Sequence, residues 1–217
     1  MKTFLITVVI IVLLFLISFL YDNFSKSKII PKESSSSNNE DKGIASLINE
    51  LDQLGYYKYL ELRIKEEVKE ESIKVGYLFG WEESGRDYSS DAEDLAEGGV
   101  GKLIESVKPY LETQNVKITE IKDDIVDMDY SVVINGISYK IYSEDEMDKD
   151  IWELSTNRAF GIINKLLKEV SSNERVYILY GGNDLRAVFL TSEMYKAINE
   201  SKLIPDREMP IPTPEQF

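Results

Sequence analysis

Hydrophobic positions along this chain fall into three regimes. An unbroken apolar run comes first, then a polar gap, then a long region where apolar residues recur at helical or strand spacing. The run is Phe4 to Leu20 (FLITVVIIVLLFLISFL), with no charge and only the hydroxyls of Thr7 and Ser18 as polar side-chain groups. At about 1.5 Å of helical rise per residue, Thr3 to Tyr21 reaches roughly 28 Å, close to the ~30 Å hydrocarbon core of a bilayer. The run is long for the apolar stretch of a signal peptide, and no A-x-A-like pattern follows it. Residues 1–25 are therefore expected to be a single N-terminal transmembrane helix, a signal-anchor held by membrane lipid through residues 4–20.

Lys2 before so long a run favours an N-in orientation, which places the remainder outside the cytoplasm. Lys26, Lys28 and Lys32 on the other flank argue the reverse under the positive-inside rule. The extracytoplasmic placement is preferred. Residues 26–42 (KSKIIPKESSSSNNEDK) lack the apolar content needed to offset the entropy of ordering, so they read as a flexible Ser/Asn-rich linker.

From Gly43 onward the pattern alternates between helix and strand. Ile44, Leu47, Ile48, Leu51 and Leu54 have helical spacing, and Gly55 stands where a C-cap glycine belongs. A second helix is expected over 56–71, with Tyr57, Leu60, Ile64 and Val68 on one stripe. Ile73 to Trp81 reads as a strand, 82–99 as an acidic, turn-rich stretch, and 101–112 as a helix. Val126, Met128, Tyr130, Val132 and Ile134 alternate with polar residues, and Asn135-Gly136 is a two-residue hairpin signal. That turn sets Ile134 opposite Ile137, Val132 opposite Tyr139, and Tyr130 opposite Ile141. Val116 to Ile121 is expected to join the same meander through Lys122-Asp123-Asp124.

A helix opened by Ser155 or Thr156 follows, with Ala159, Phe160, Ile163, Leu166, Leu167 and Val170 as its buried stripe. Arg175 to Tyr180 and Leu185 to Leu190 are nearly continuous apolar strands, the mark of a sheet centre. Ser192 to Ser201 is the last helix. Residues 205–217 form a Pro-rich tail, expected to be extended and unpaired. The fold class expected is α+β. Residues 43–204 should make one acidic domain, a mainly antiparallel sheet of about five or six strands with helices packed on one face.

Charge narrows the choice of partners. The chain carries −14; residues 1–42 hold five lysines against four acids, so the domain itself carries −15. A nucleic-acid partner is disfavoured, because phosphate binding needs basic surface. Solubility accounts for much of such a charge, and an acidic face that steers a basic protein partner is the sharper reading.

Candidate chemistry is sparse. The chain has no His and no Cys, which removes Ser-His-Asp and Cys-His nucleophilic systems and the usual zinc and copper ligands. Gly98-Gly99-Val100-Gly101-Lys102 approaches a phosphate loop, yet Ala96 and Leu103 stand where Gly and Ser/Thr are required. Neither acidic cluster has EF-hand spacing. No cofactor, metal or catalytic residue is assigned. Arg158 and Arg186 are candidate anion binders or partners for the surplus acid.

The binding residues expected are Asp87, Asp91, Glu93, Asp94 and Glu97 in one cluster and Glu144, Asp145 and Asp148 in the other. Trp81 and Trp152 flank them as anchors. The function expected is a membrane-anchored, non-enzymatic binding protein, for instance an immunity-type inhibitor of a basic protein. An accessory subunit of a membrane complex and a carboxylate-dependent hydrolase are the alternatives.

Overall fold

The computed structural model describes residues 37–81, 84–179 and 182–213. The apolar run and the linker up to residue 36 lie outside the described residues. Among the described residues, no helix is long and apolar enough to cross a membrane.

Helix α1 (Ser37–Gln53) begins six residues ahead of Gly43. It buries Ile44, Leu47, Ile48 and Leu51 and stops where Gly55 takes a φ of +86°. Helix α2 (Leu62–Val75) starts later than its periodicity suggests, since Tyr56 and Tyr57 turn inward and are fully buried between the two helices. The strand expected over Ile73–Trp81 is absent. Ile73 to Val75 complete α2, and left-handed Gly76 ends it with its N–H on Ser72 O.

Strand β1 (Asp87–Asp91) instead rises from the stretch read as turns. The five-residue helix α3 (Ala92–Ala96) follows, its first turn capped by the Asp91 carboxylate on Asp94 N. Helix α4 (Val100–Thr113) leads to the meander of β2 (Ile121–Val126), β3 (Asp129–Ile134) and β4 (Ile137–Tyr142).

The Asn135-Gly136 turn has φ of +51° and +79°, and Ile134 faces Ile137 and Val132 faces Tyr139, as the pattern predicts. A register shift between Tyr130 and Ser131 then sets Tyr130 opposite Tyr142 rather than Ile141. The turn expected at Lys122–Asp124 lies instead at Asp127–Met128, and Lys122 to Asp124 are mid-strand.

Helix α5 (Ile151–Glu169) is opened by Asp150, whose carboxylate accepts from Trp152 N and Glu153 N, each at 3.1 Å. The expected caps Ser155 and Thr156 are buried within it. Strands β5 (Glu174–Leu179) and β6 (Asp184–Thr191) and helix α6 (Ser192–Ser201) fall where expected. The Pro-rich tail corrects the reading of an unpaired segment. Its two-residue strand β7 (Ile211–Pro212) pairs with β5, and the buried Thr213 hydroxyl bonds the Asn164 side chain.

The strands make two antiparallel sheets, β1-β6-β5-β7 and β2-β3-β4, where one was expected. The helices also lie on both faces of the larger sheet. Val176, Ile178, Ala187 and Phe189 point into a core shared with α4, α5 and the smaller sheet. Tyr177, Leu179, Val188 and Leu190 point into a second core with α1 and α6. That two-sided burial is the physical reason β5 and β6 lack alternation.

Arg86 joins the two cores. Fully buried, it gives Nη1 and Nη2 to Glu174 Oε2 and Oε1 at 2.8 and 3.0 Å. It also donates to the carbonyls of Tyr56, Gly55 and Phe189. Tyr56, Tyr59 and Tyr110 rings surround the guanidinium. Burial works against the charge on Glu174, but the hydrogen bonds and charge of Arg86, then those of Lys58, prevail and hold its carboxyl below the ordinary range.

Candidate functional site

The two acidic stretches, some fifty residues apart in sequence, meet at one end of the smaller sheet. Tyr142, the last residue of β4, donates its hydroxyl to Ala96 O at 2.9 Å. Glu97 follows directly on one side and Ser143–Glu146 on the other. Helix α3 packs against α5, which completes the junction. Asp129, at the start of β3, accepts from Glu144 N at 2.8 Å and ties the second stretch to the β2–β3 turn.

Within this end the acids divide by role. Glu146 turns inward, where Arg158 grips both its oxygens at 2.8 Å and Lys140 and Lys149 approach to 3.1 and 3.0 Å. The Arg158 hydrogen bonds first, then those of Lys149, hold its carboxyl far below the usual value. Arg158 also donates to Ile141 O, so this group fastens the acidic turn to β4 and α5. Asp91 is spent on the α3 cap, and Asp94 pairs with Lys102 at 2.9 Å. Asp145 accepts from Ser143 Oγ, which lowers its pKa. Glu93, Glu97, Glu144 and Asp148 are exposed and have no ion pair among the described residues. Asp94 and Asp145 are exposed as well, the first paired with Lys102 and the second bonded to the Ser143 hydroxyl.

Two of the expected residues belong elsewhere. Asp87 is buried on β1, accepting from Gly80 N and from Arg186 Nε. Trp81 packs against the second core, on the far side of the larger sheet. Trp152 stays with the acidic end, 42% exposed on the first turn of α5. Both arginines considered as anion binders are paired: Arg158 with Glu146, and Arg186 with Asp87.

The stretch reminiscent of a phosphate loop is filled from within the protein. Val100 N, at the start of α4, donates to Tyr130 Oη, and Gly101 N donates to Asp123 Oδ1. Tyr130 in turn donates its hydroxyl to the same carboxylate. The positive end of the helix dipole is thus met by an internal anion. A Cβ at Gly101 would lie 2.3 Å from Asp123 Oδ2, so glycine here makes room for a carboxylate of the chain itself.

Sequence reasoning missed the β2–β3 tip. Val126 and Met128, assigned to an inward strand face, are 62% and 54% exposed on either side of Asp127, whose φ is +55°. Ile125, 50% exposed, reaches towards Gly98 in the loop between α3 and α4. No signal marks this turn, because Asp127 adopts a left-handed conformation without a glycine. Among the described residues, no group of three or more Asp or Glu is arranged to hold a metal ion. Comparison with known protein families, curated proteins and solved structures finds no match to this chain.

Proposed function

We propose that the protein is a membrane-anchored, non-enzymatic binding protein whose acidic end captures a basic protein partner, in the manner of an immunity-type or inhibitory protein. Residues 4–20 are the anchor, and the domain stands on the extracytoplasmic side. The observation that carries the reading is the Tyr142–Ala96 junction, which brings the neighbouring Glu97 and Glu144 segments together, two exposed carboxylates with no ion pair among the described residues, on a chain rich in acid. Keeping like charges together works against stability, and a basic surface that neutralises them is a natural counterpart. The buried carboxylates support binding over catalysis. Glu146 and Glu174 are held ionised by their cations, the wrong direction for a general acid near neutral pH.

Two measurements test the proposal. The full chain should fractionate with membranes and resist alkaline extraction; release into the alkaline supernatant overturns the anchor. Pull-down from the native membrane at low salt should recover a partner of basic composition, with association slowing as salt shortens the ~10 Å reach of charge at 0.1 M. Neutralising Glu97, Glu144 and Asp148 together should slow capture and leave thermal stability unchanged or raised. Recovery of no basic partner, or an association rate indifferent to salt, removes the acidic-end reading.

A further inference from the structure

Strand β2 is an outer strand of the smaller sheet, and its free margin is open. Asn135 N donates to Glu120 O, and the Asp127–Met128 turn closes between Val126 and Asp129. The even-numbered residues of β2 therefore make the ladder with β3, while Ile121, Asp123 and Ile125 turn their N–H and C=O groups outward. Among the described residues, no hydrogen bond reaches those outward groups. Other strands are covered by the chain itself. On β5, the Asn164 amide accepts from Val176 N and donates to Val176 O, and Ile211 pairs with Ile178. On β4, Arg158 donates to Ile141 O. Strand β2 has no such cover, and its six residues contain neither the proline nor the bulge that blunts an exposed edge. Alternation sets the side chains of Ile121, Asp123 and Ile125 on the face of buried Tyr130, and those of Lys122, Asp124 and Val126 on the opposite face. Along that opposite face and the turn, Glu120, Asp124, Asp127 and Asp129 outnumber Lys122, which already pairs with Asp124 at 3.0 Å.

We infer that the margin of β2 is where the basic partner docks, and that the partner supplies an extended segment in which basic and β-branched residues alternate. The segment adds to the sheet as a fourth strand, antiparallel like the pairings of the protein's own strands. Its β-branched side chains lie beside Ile121 and Ile125, and its Lys or Arg side chains lie on the other face beside Asp124 and Asp127. Main-chain hydrogen bonds to the outward groups of β2 give affinity, and the alternation gives selectivity. A second copy of this chain is the less fitting occupant, because two acidic domains would have to meet along the seam. The inference rests on the proposed capture of a basic partner and adds the mode of capture.

The test uses the full chain in phosphatidylcholine nanodiscs and a dye-labelled heptapeptide of alternating Lys and Val, made in two forms of equal charge. One form is N-methylated at its valines, whose N–H groups would face β2; the other is N-methylated at its lysines, whose N–H groups face away. By fluorescence anisotropy at low salt, the lysine-methylated form should bind about tenfold more tightly than the valine-methylated form. Ile125→Pro removes an outward N–H without touching the ladder to β3, and it should bring the two forms to within about twofold of each other. Ile125→Ala, which keeps that N–H, should keep the preference. The paired peptides read the same edge on the unaltered chain, so the inference stays open to refutation even where the proline variant does not fold. Equal binding of the two forms by the wild-type chain, or a preference for the valine-methylated form, overturns strand addition and leaves capture by charge intact. Failure of both forms to bind overturns the acidic-end reading, and strand addition with it. A wild-type dimer seen by sedimentation in detergent, and dissociated by Ile125→Pro, makes the occupant a second copy and overturns the inference as well.

Discussion

Glu174→Gln is the substitution that puts the most structural reasoning at risk. The side chain is fully buried, with both oxygens accepting from Arg86 at 2.8 and 3.0 Å and one also from Lys58 at 3.1 Å. An amide of the same size keeps one acceptor but turns a donor toward the guanidinium, and it removes the counter-charge. Arg86 cannot shed its proton, and its charge would stay buried beside tyrosine rings and backbone carbonyls. Breaking a buried pair by removing one partner costs about 3–5 kcal/mol. That is a large part of the ~5–15 kcal/mol stability of an ordinary domain.

At about 2–4 °C per kcal/mol for a domain of this size, the midpoint of thermal unfolding should fall by roughly 6–20 °C. Circular dichroism melts of fragment 38–217 at neutral pH measure it. Lys58, nearly half exposed, offers the contrast: Lys58→Met should cost less than about 1 kcal/mol, since a solvated partner contributes little. Arg86→Met with Glu174→Leu should not restore wild-type stability, because Gly55, Tyr56 and Phe189 carbonyls lose their donor. A Glu174→Gln protein within about 1 kcal/mol of wild type would refute the account of Arg86 as the joint between the two cores.

Other outcomes follow from the same geometry. Gly101→Ala should destabilise by about 1–3 kcal/mol, because its methyl meets the Asp123 carboxylate; an unchanged urea midpoint would show that the α4 start is not tightly closed. Gly136→Val should cost on the order of 1–3 kcal/mol from backbone strain at a φ of +79°, measured in the same way. Stability should also decline in acid. Glu146 and Glu174 titrate below 4.5 in the folded protein, so the stability they contribute is complete above that pH. It is lost progressively as pH falls beneath about 4.5, because the unfolded chain takes up the protons first. Glu174→Gln should flatten that decline, and melts from pH 6 to pH 3 read it directly.

How much of this fold the sequence reveals depends on whether the signal is local. Asn135-Gly136 was legible because two adjacent residues meet the φ demands of their turn unaided. The Asp127 turn was hidden because the apolar alternation runs through it unbroken from Val126 to Ile134, so nothing in the pattern stops one strand and starts another. Strand β1 (DYSSD) has too few apolar residues to declare a period, and it exists because β6 offers it a pairing edge. The Arg86–Glu174 joint spans 88 positions and leaves no local trace. The acidic end was legible as two segments and illegible as one place. Tyr142 reaching Ala96 brings the segments together, and nothing near either residue announces it.

The Arg86 joint also decides how the domain would bear mechanical load. A pull from the N-terminal side enters through α1 and arrives at the turn just after it, where Arg86 clasps the carbonyls of Gly55 and Tyr56. From there the same guanidinium passes the tension to Glu174 on β5 and to Phe189 on β6, two inner strands of the larger sheet. The chain therefore cannot peel away turn by turn from the start of α1 through to α2. Tension must first break several charge-assisted hydrogen bonds together, which gives the domain a clutch between its N-terminal helix and its larger sheet.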